Sequence, residues 1–280
     1  MQMRIGLAQM DIRWENIKHN MTKAEHFFRE AAAEKVDLLV FPEMTLTGFS
    51  MNVEVTGKRW KEQVGFFRGM SREYDVPAVF GYSMPVSDRL LEEHPDWNHY
   101  HNRLGFVEKG ELLMSYAKIH PFTYGLEGKY YQGGRQLQTL QWKGIGVGAF
   151  ICYDLRFPEI FQIVSDDCEL ILVIANWPGS RVHHWDCLLK ARAMENQCIV
   201  AGVNRTGEGD GIVYNGHSAV YGPDGECYSE VCEEEKLVIA DVDPSLMQGI
   251  RENFPLKVDR LEEFYVDLWQ EKRKMKKNRR

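Results

Sequence analysis

The stretch GIGVGAFICYDLRFP, residues 144–158, decides how the chain is read. Its first half is a glycine-punctuated apolar run with the composition of a buried strand, and it stops at Cys152. Tyr153, Asp154, Leu155 and Arg156 follow as a polar cluster, and then come Phe157, Pro158 and Glu159. Proline suits the first turn of a helix, where its missing N–H has no partner to lose. The stretch therefore predicts a strand, a sharp turn bearing Cys152, and a helix. A helix N-terminus and nearby cations at that turn would favour a thiolate over a thiol. A cysteine in such a place can also be a small buried hydrophobe, so the rest of the chain has to choose between the two.

Working outward towards the N-terminus, residues 4–10 alternate as a strand, and residues 16–34 place Ile17, Met21, Ala24, Phe27, Phe28 and Ala31 at helical spacing. VDLLVF (36–41) is a short apolar strand that ends on Pro42-Glu43. A carboxylate directly after a buried strand lies at a sheet edge, where α/β folds build their sites; a solvated loop glutamate reads equally well there. Residues 60–74 form a helix, residues 77–84 a strand, and residues 87–102 a surface loop containing His99 and His101, which are read as loop residues. Residues 103–107 and 111–116 flank Glu108-Lys109-Gly110 as a β-hairpin. The hairpin runs out at Lys118, and TYGLEGKYYQGG (123–134) follows as a loop whose composition suits a small ligand.

Towards the C-terminus, LILVIAN (170–176) is a strand ending at Trp177-Pro178-Gly179. Residues 184–197 are a helix, IVAGVN (199–204) a strand, and residues 217–229 a hairpin turning at Gly222-Pro223-Asp224-Gly225. Residues 237–242 are the last strand and 244–252 the last helix. Strands interleave with helices, and several are too apolar to face water on either side. This predicts one α/β domain over 1–280 with doubly covered sheets. Residues 256–280 form a C-terminal extension ending in a basic, solvated tail.

The chain has 280 residues and a net charge of −7, which gives no reason to expect nucleic acid. Its six cysteines (Cys152, Cys168, Cys187, Cys198, Cys227, Cys232) show no CxxC pair and no zinc spacing. No apolar run approaches the ~20 residues needed to span a bilayer. The expectation is a soluble, cytoplasmic protein without disulfides, membrane association, metal or organic cofactor.

Three strands end on chemically capable groups: Glu43, Lys118 and Cys152. Acyl transfer needs such a set, in which a thiol attacks a carbonyl carbon, a base takes its proton, and a cation holds the oxyanion. A carboxylate serves as the base when burial raises its pKa. No histidine follows Cys152 in the arrangement of a Cys-His protease.

FPEMTLTGF around Glu43, YAKIHPF around Lys118 and ICYDLRFPE around Cys152 resemble the Glu-Lys-Cys motifs of the nitrilase, or carbon–nitrogen hydrolase, superfamily. ANWPGSRVHHW (175–185), ARAMENQ (191–197), GVNRTG (202–207) and YGPDGE (221–226) extend the resemblance over nearly the whole chain. It implies a four-layer α-β-β-α sandwich paired as a homodimer. By residue, it implies Glu43 as general base, Lys118 as oxyanion stabiliser and Cys152 as nucleophile. The Tyr153 backbone N–H would complete the oxyanion hole, and Glu127 would be a supporting second glutamate.

CYDLRFPE, ANWP, the tryptophan-to-glutamine pattern of 185–197 and RENFP (251–255) are most similar to the bacterial omega-amidase branch. That likeness implies hydrolysis of the terminal amide of short 2-oxo dicarboxylic acid monoamides, such as 2-oxoglutaramate and 2-oxosuccinamate. HPFTYGLEG (120–128) departs from the branch. Another small aliphatic amide or an N-carbamoyl compound therefore stays open as substrate, and so does a catalytically silent scaffold. Arg181 is the candidate for a substrate carboxylate, with Arg156 either a further cation or a partner of Asp154. Trp177 and Tyr124 are candidates for the pocket wall.

Overall fold

A computed structural model describes residues 2–277. Strand β1 (Met3–Gln9) leads into helix α1 (Ile17–Ala33), which Asn16 caps by accepting a hydrogen bond from the His19 N–H at 3.1 Å. The apolar face of α1, with Ile17, Ala24, Phe27, Phe28 and Ala31, is buried. Strand β2 (Leu38–Val40) follows, then the short α2 (Val53–Thr56), helix α3 (Trp60–Glu73) and strand β3 (Ala78–Pro85). A short α4 (Asp88–Glu93) precedes the hairpin of β4 (Tyr100–Glu108) and β5 (Glu111–Ala117).

The second half opens with β6 (Thr139–Trp142) and β7 (Ile145–Ile151), followed by α5 (Pro158–Val164), β8 (Leu170–Ala175), α6 (Val182–Asn196) and β9 (Ile199–Asn204). A small ribbon of β10 (Thr206–Gly209) and β11 (Ile212–Asn215) precedes β12 (Ala219–Tyr221) and β13 (Lys236–Val242). Six strands form one sheet in the order β13-β1-β2-β3-β4-β5, and five form another in the order β12-β9-β8-β7-β6. Strands β7, β8 and β9 run parallel and are buried at every position, which is why their sequences are continuously apolar.

The two sheets face each other. The Tyr116 ring on β5 meets Phe150 on β7 at 5.8 Å, and Phe106 on β4 meets Trp142 on β6 at 5.3 Å. On the outer side of the six-stranded sheet, Phe28 of α1 packs on Phe41 at 5.4 Å, and Phe67 of α3 stacks on Phe80 at 4.0 Å. Burying each such ring stabilises the fold by roughly 1.5–3 kcal/mol. On the outer side of the five-stranded sheet, α6 approaches so closely that a Cβ on Gly202 would lie 2.5 Å from a Leu189 methyl. Phe161 of α5 packs on Phe150 at 4.2 Å. The architecture is the expected four-layer α-β-β-α sandwich.

One reading of these segments needs correction. The stretch 87–102 is not all surface loop: α4 lies within it, and His101 and Asn102 are buried on β4. The His101 ring is committed to the Gln132 carbonyl at 2.7 Å. The basic residues Lys272 to Lys277 are exposed and helical. They belong to helix α8 (Glu262–Lys277), which follows α7 (Leu246–Asn253). The last three residues of that predicted tail, 278–280, lie outside the described residues. The chain divides after Ser245 into two compact units, Met1–Ser245 and Leu246–Arg280. Among the described residues, no helix is long and apolar enough to cross a membrane.

Candidate active site

Glu43 stands three residues beyond β2, on a turn that Thr45 closes. The Thr45 hydroxyl donates to the Pro42 carbonyl at 2.6 Å and accepts from the Gly81 N–H at 3.0 Å. Gly81 on β3 must be glycine: an added Cβ would lie 2.2 Å from the Met44 nitrogen and 2.6 Å from the Glu43 Cα. Lys118 follows β5 directly and donates its backbone N–H to the Asn102 carbonyl at 2.9 Å. Strands β3 and β4 lie between these two strand ends, β3 against the Glu43 turn and β4 bonded to the Lys118 backbone.

The Lys118 ammonium reaches Glu43 Oε1 at 2.8 Å and the two oxygens of Glu127 at 3.1 and 2.9 Å. All three side chains are shut off from solvent, with Lys118 at 1 % exposure and both glutamates at 0 %. Glu127 also accepts from the Phe122 N–H at 2.5 Å and from Asn102 Nδ2 at 2.9 Å. Burial pulls the Lys118 ammonium towards neutrality, but the charges of Glu127 and Glu43 outweigh it and hold its pKa well above the usual lysine value. Burial pushes the Glu127 carboxyl up, and the Lys118 charge opposes this without cancelling it.

Cys152 begins a 3-10 turn (Cys152–Arg156) between β7 and α5, so the predicted strand–turn–helix is present, with Pro158 in the first turn of α5. Its φ is +47°, a left-handed conformation that a non-glycine residue adopts at a cost. Asp154 holds this turn. One carboxylate oxygen accepts from the Tyr116 hydroxyl at 2.8 Å and the Ile151 N–H at 3.2 Å. The other accepts from the His120 N–H at 2.9 Å and faces His120 Nδ1 at 2.8 Å. Tyr116 and His120 flank Lys118, so one buried carboxylate fixes the cysteine turn to the lysine strand.

The Cys152 sulfur lies 3.9 Å from the Asn176 carbonyl oxygen. Asn176, just past β8, gives its backbone N–H to Glu43 Oε2 at 2.9 Å and its side-chain amide to the Glu43 carbonyl at 2.6 Å. Glu43 thus belongs to the first sheet, yet its carboxylate is hydrogen-bonded to the second. The expected thiolate is not what this environment favours. Burial and the Glu43 charge push the Cys152 thiol well above its ordinary value, against the lowering effect of Lys118. The sulfur is stored as a thiol, and a base has to take its proton.

Cys152 lines a pocket of about 130 Å³ together with Tyr153, Arg156, Trp177 and Arg181. Trp177 is fixed by its N–H to Asn204 Oδ1 at 2.7 Å and by its indole N–H to the Arg181 carbonyl at 2.8 Å. The Arg181 guanidinium lies over the Phe122 ring at 5.6 Å. Arg156 does not pair with Asp154; it lies over Trp177 at 4.7 Å and faces His184 Nδ1 at 3.2 Å. Tyr124 does not line the pocket; it is 88 % exposed, with its ring 5.9 Å from that of Phe122, which does. The predicted residues Glu43, Lys118, Glu127 and Cys152 are therefore assembled in one place, with Tyr153, Trp177 and Arg181 at the pocket beside them. Asn102 and Asn176 join them without having been named as site residues from the sequence, although Asn176 ends the LILVIAN strand and lies in the ANWPGSRVHHW motif.

The carbon-nitrogen hydrolase family model matches residues 4–252. An omega-amidase, YafV, from Yersinia enterocolitica is 32 % identical over 256 residues, covering 90 % of this chain and 94 % of that protein. A 2-oxoglutaramate amidase from Bacillus subtilis is 30 % identical, covering 95 % of this chain and 100 % of that protein. Among solved structures, XC1258 from Xanthomonas campestris, a CN-hydrolase superfamily protein with an arsenic adduct in its active site, superposes with a TM-score of 0.84. It is 29 % identical and covers 93 % of this chain and 97 % of its own. A cysteine-to-alanine mutant of a nitrilase-superfamily amidase from Nesterenkonia has a TM-score of 0.82 at 26 % identity, covering 95 % of this chain and 97 % of its own. The chain belongs to the carbon–nitrogen hydrolase family.

Proposed function

We propose that the chain is a thiol-dependent amidase that hydrolyses the terminal amide of short 2-oxo dicarboxylic acid monoamides to the acid and ammonia. The observation that carries this reading is the meeting of Glu43, Lys118 and Cys152 behind a pocket whose lining also holds Arg156 and Arg181. Among the described residues, neither guanidinium is ion-paired with a carboxylate; they lie over Trp177 and Phe122 instead. Such a pair recognises a substrate carboxylate through planar, charge-assisted hydrogen bonds. The names of the two relatives point the same way.

In the proposed reaction, Cys152 gives its proton to Glu43 as its sulfur attacks the amide carbon. The carbonyl oxygen becomes an oxyanion held by the Lys118 ammonium and the Tyr153 backbone N–H. Glu43 passes the proton to the amide nitrogen, the C–N bond breaks and ammonia leaves a thioester behind. Water then gives a proton to the same carboxylate while its oxygen attacks the thioester. The C–S bond breaks, the acid departs, and the thiol recovers its proton. Glu127, clamped on Lys118, keeps the ammonium in place, and Trp177 walls the pocket. The reaction needs a reduced thiol, which suits a cytoplasmic enzyme. The large apolar side chains exposed on α8, Phe264, Leu268 and Trp269 among them, suit a homodimer, which sedimentation of the purified chain as a monomer would exclude.

The test is ammonia release from 2-oxoglutaramate, 2-oxosuccinamate, a neutral aliphatic amide, an N-carbamoyl amino acid and a nitrile, with Cys152→Ala as control. The 2-oxo acid amides should be preferred and all turnover lost in the variant. Arg156→Gln and Arg181→Gln should each raise KM for 2-oxoglutaramate by roughly 10- to 100-fold while leaving the neutral amide unchanged. Preference for a neutral or carbamoyl substrate would keep the cysteine chemistry and overturn the substrate. A panel without turnover, and a Cys152 inert to alkylation, would leave a scaffold.

A further inference from the structure

Asn102 sits on β4 at 1 % exposure, between the two buried carboxylates. Its Nδ2 donates one hydrogen to Glu43 Oε1 at 2.7 Å and the other to Glu127 Oε1 at 2.9 Å. Its Oδ1 is buried without a hydrogen-bond partner. A buried amide accepts an orphaned oxygen only where its two donors are needed, because the opposite orientation would set Oδ1 against two carboxylates.

A carboxylate has about four lone-pair sites, two on each oxygen. Glu43 Oε1 already accepts from Asn102 at 2.7 Å and from the Lys118 ammonium at 2.8 Å, so both of its sites are taken. Oε2 accepts from the Asn176 backbone N–H at 2.9 Å, and the Asn176 amide lies at 3.4 Å from it, closer to the Glu43 carbonyl at 2.6 Å. The 3.4 Å contact from the Asn176 amide is the weakest on either oxygen, so Oε2 is where a proton can displace a partner, on the oxygen bound to the residue whose carbonyl touches the Cys152 sulfur.

We propose that Asn102 is a positioning residue that locks Oε1 of Glu43 and thereby makes Oε2 the atom that takes the Cys152 proton. It also spaces the two carboxylates so that a single ammonium serves both. The inference rests on the reading of Glu43 as base and Cys152 as nucleophile. Without the Asn102 donor, Oε1 competes for the proton, and the carboxylate pair holds one more tightly because the charged form has lost a hydrogen bond.

The experiment compares Asn102→Leu and the isosteric Asn102→Asp with the wild type. It measures the pH profile of kcat/KM for 2-oxoglutaramate, and the pH dependence of inactivation by iodoacetamide, which needs no substrate. Asn102→Leu should lower kcat roughly 10- to 100-fold with KM little changed, and move the acid limb of both profiles to higher pH. Asn102→Asp, which adds a third carboxylate, should move that limb further in the same direction. A fall in kcat with the limb unmoved in both variants would overturn the assignment. Failure of both variants to fold would also overturn it, since Asn102 would then serve the fold. If Cys152→Ala keeps turnover, the underlying reading fails whatever Asn102 does. If Cys152→Ala is dead and the limb stays in place, only Asn102 is misassigned.

Discussion

Burial and the Glu43 charge act on the Cys152 thiol in the same direction, so the charge of Glu43 and its proposed role make opposite predictions for one substitution. If Glu43 were only a neighbouring charge, Glu43→Gln would ease ionisation of the thiol and speed its alkylation. If Glu43 takes the proton, the variant slows alkylation at neutral pH by roughly 10²-fold or more, the usual weight of a general base. Inactivation rates with iodoacetamide decide between the two, and faster alkylation in the variant would remove Glu43 as base. Lys118 offers a second residue-scale test. Replacing it with methionine leaves Glu43 and Glu127 facing each other, both at 0 % exposure. Removing one partner of a buried charge cluster costs about 3–5 kcal/mol. Denaturant unfolding of Lys118→Met should show that loss, whereas Cys152→Ala should unfold close to the wild type.

At the scale of the element, β3 sets the position of the base through a missing side chain. A methyl on Gly81 would collide with backbone at Met44 and Glu43 rather than with a yielding side chain. Gly81→Ala should therefore lower the melting temperature and displace Glu43. A displacement of the order of 1 Å costs about 10²-fold in rate. The check is kcat beside the melting temperature, and wild-type kcat would show that Gly81 does not set the base. Nothing in the sequence around Gly81 marks this close approach, because the atoms it meets lie far along the chain. What is legible follows from composition and period: α1, β8 and β9 are apolar at the right intervals and can be read nearly to the residue. The ribbon of β10 and β11 is not legible, because TGEG and its surroundings are glycine-rich and charged, so its pairing comes from tertiary contact. Asn102 escapes for a related reason: its stretch is polar and aromatic, and its burial arises only when Glu43 and Glu127 close over it. The cysteine turn is legible as geometry. Its protonation state is not, since the Glu43 charge reaches Cys152 from the other sheet.

At the scale of the molecule, the site lies at the junction of two sheets and exists only while they are packed together. Glu43, Lys118 and Asn102 come from the six-stranded sheet, while Cys152 and Asn176 come from the five-stranded one. Sealing that junction stores protons. Burial raises the Cys152 thiol above its ordinary 9.0 and the Tyr116 and Tyr131 phenols above 10.0, and carboxylate charge raises Lys118 above 10.5 against burial. In each case the folded pKa exceeds the unfolded one, so above about pH 9 the unfolded chain releases protons that the folded chain keeps. Stability is then fully present below the unfolded values and is lost as pH rises towards the folded ones, by about 1.4 kcal/mol per pH unit for each group engaged. Denaturant midpoints should stay level between about pH 7 and 8.5, then fall with increasing steepness to about pH 10.5. Tyr131→Phe removes one stored proton along with its hydrogen bonds to Thr56 and Ser50. It should begin less stable at neutral pH and lose stability less steeply in alkali, so that its curve converges on that of the wild type. Parallel curves would mean that Tyr131 keeps no excess proton in the folded chain. A wild-type midpoint unchanged to about pH 10.5 would mean that the junction is open to water and that its groups titrate as they do in the unfolded chain.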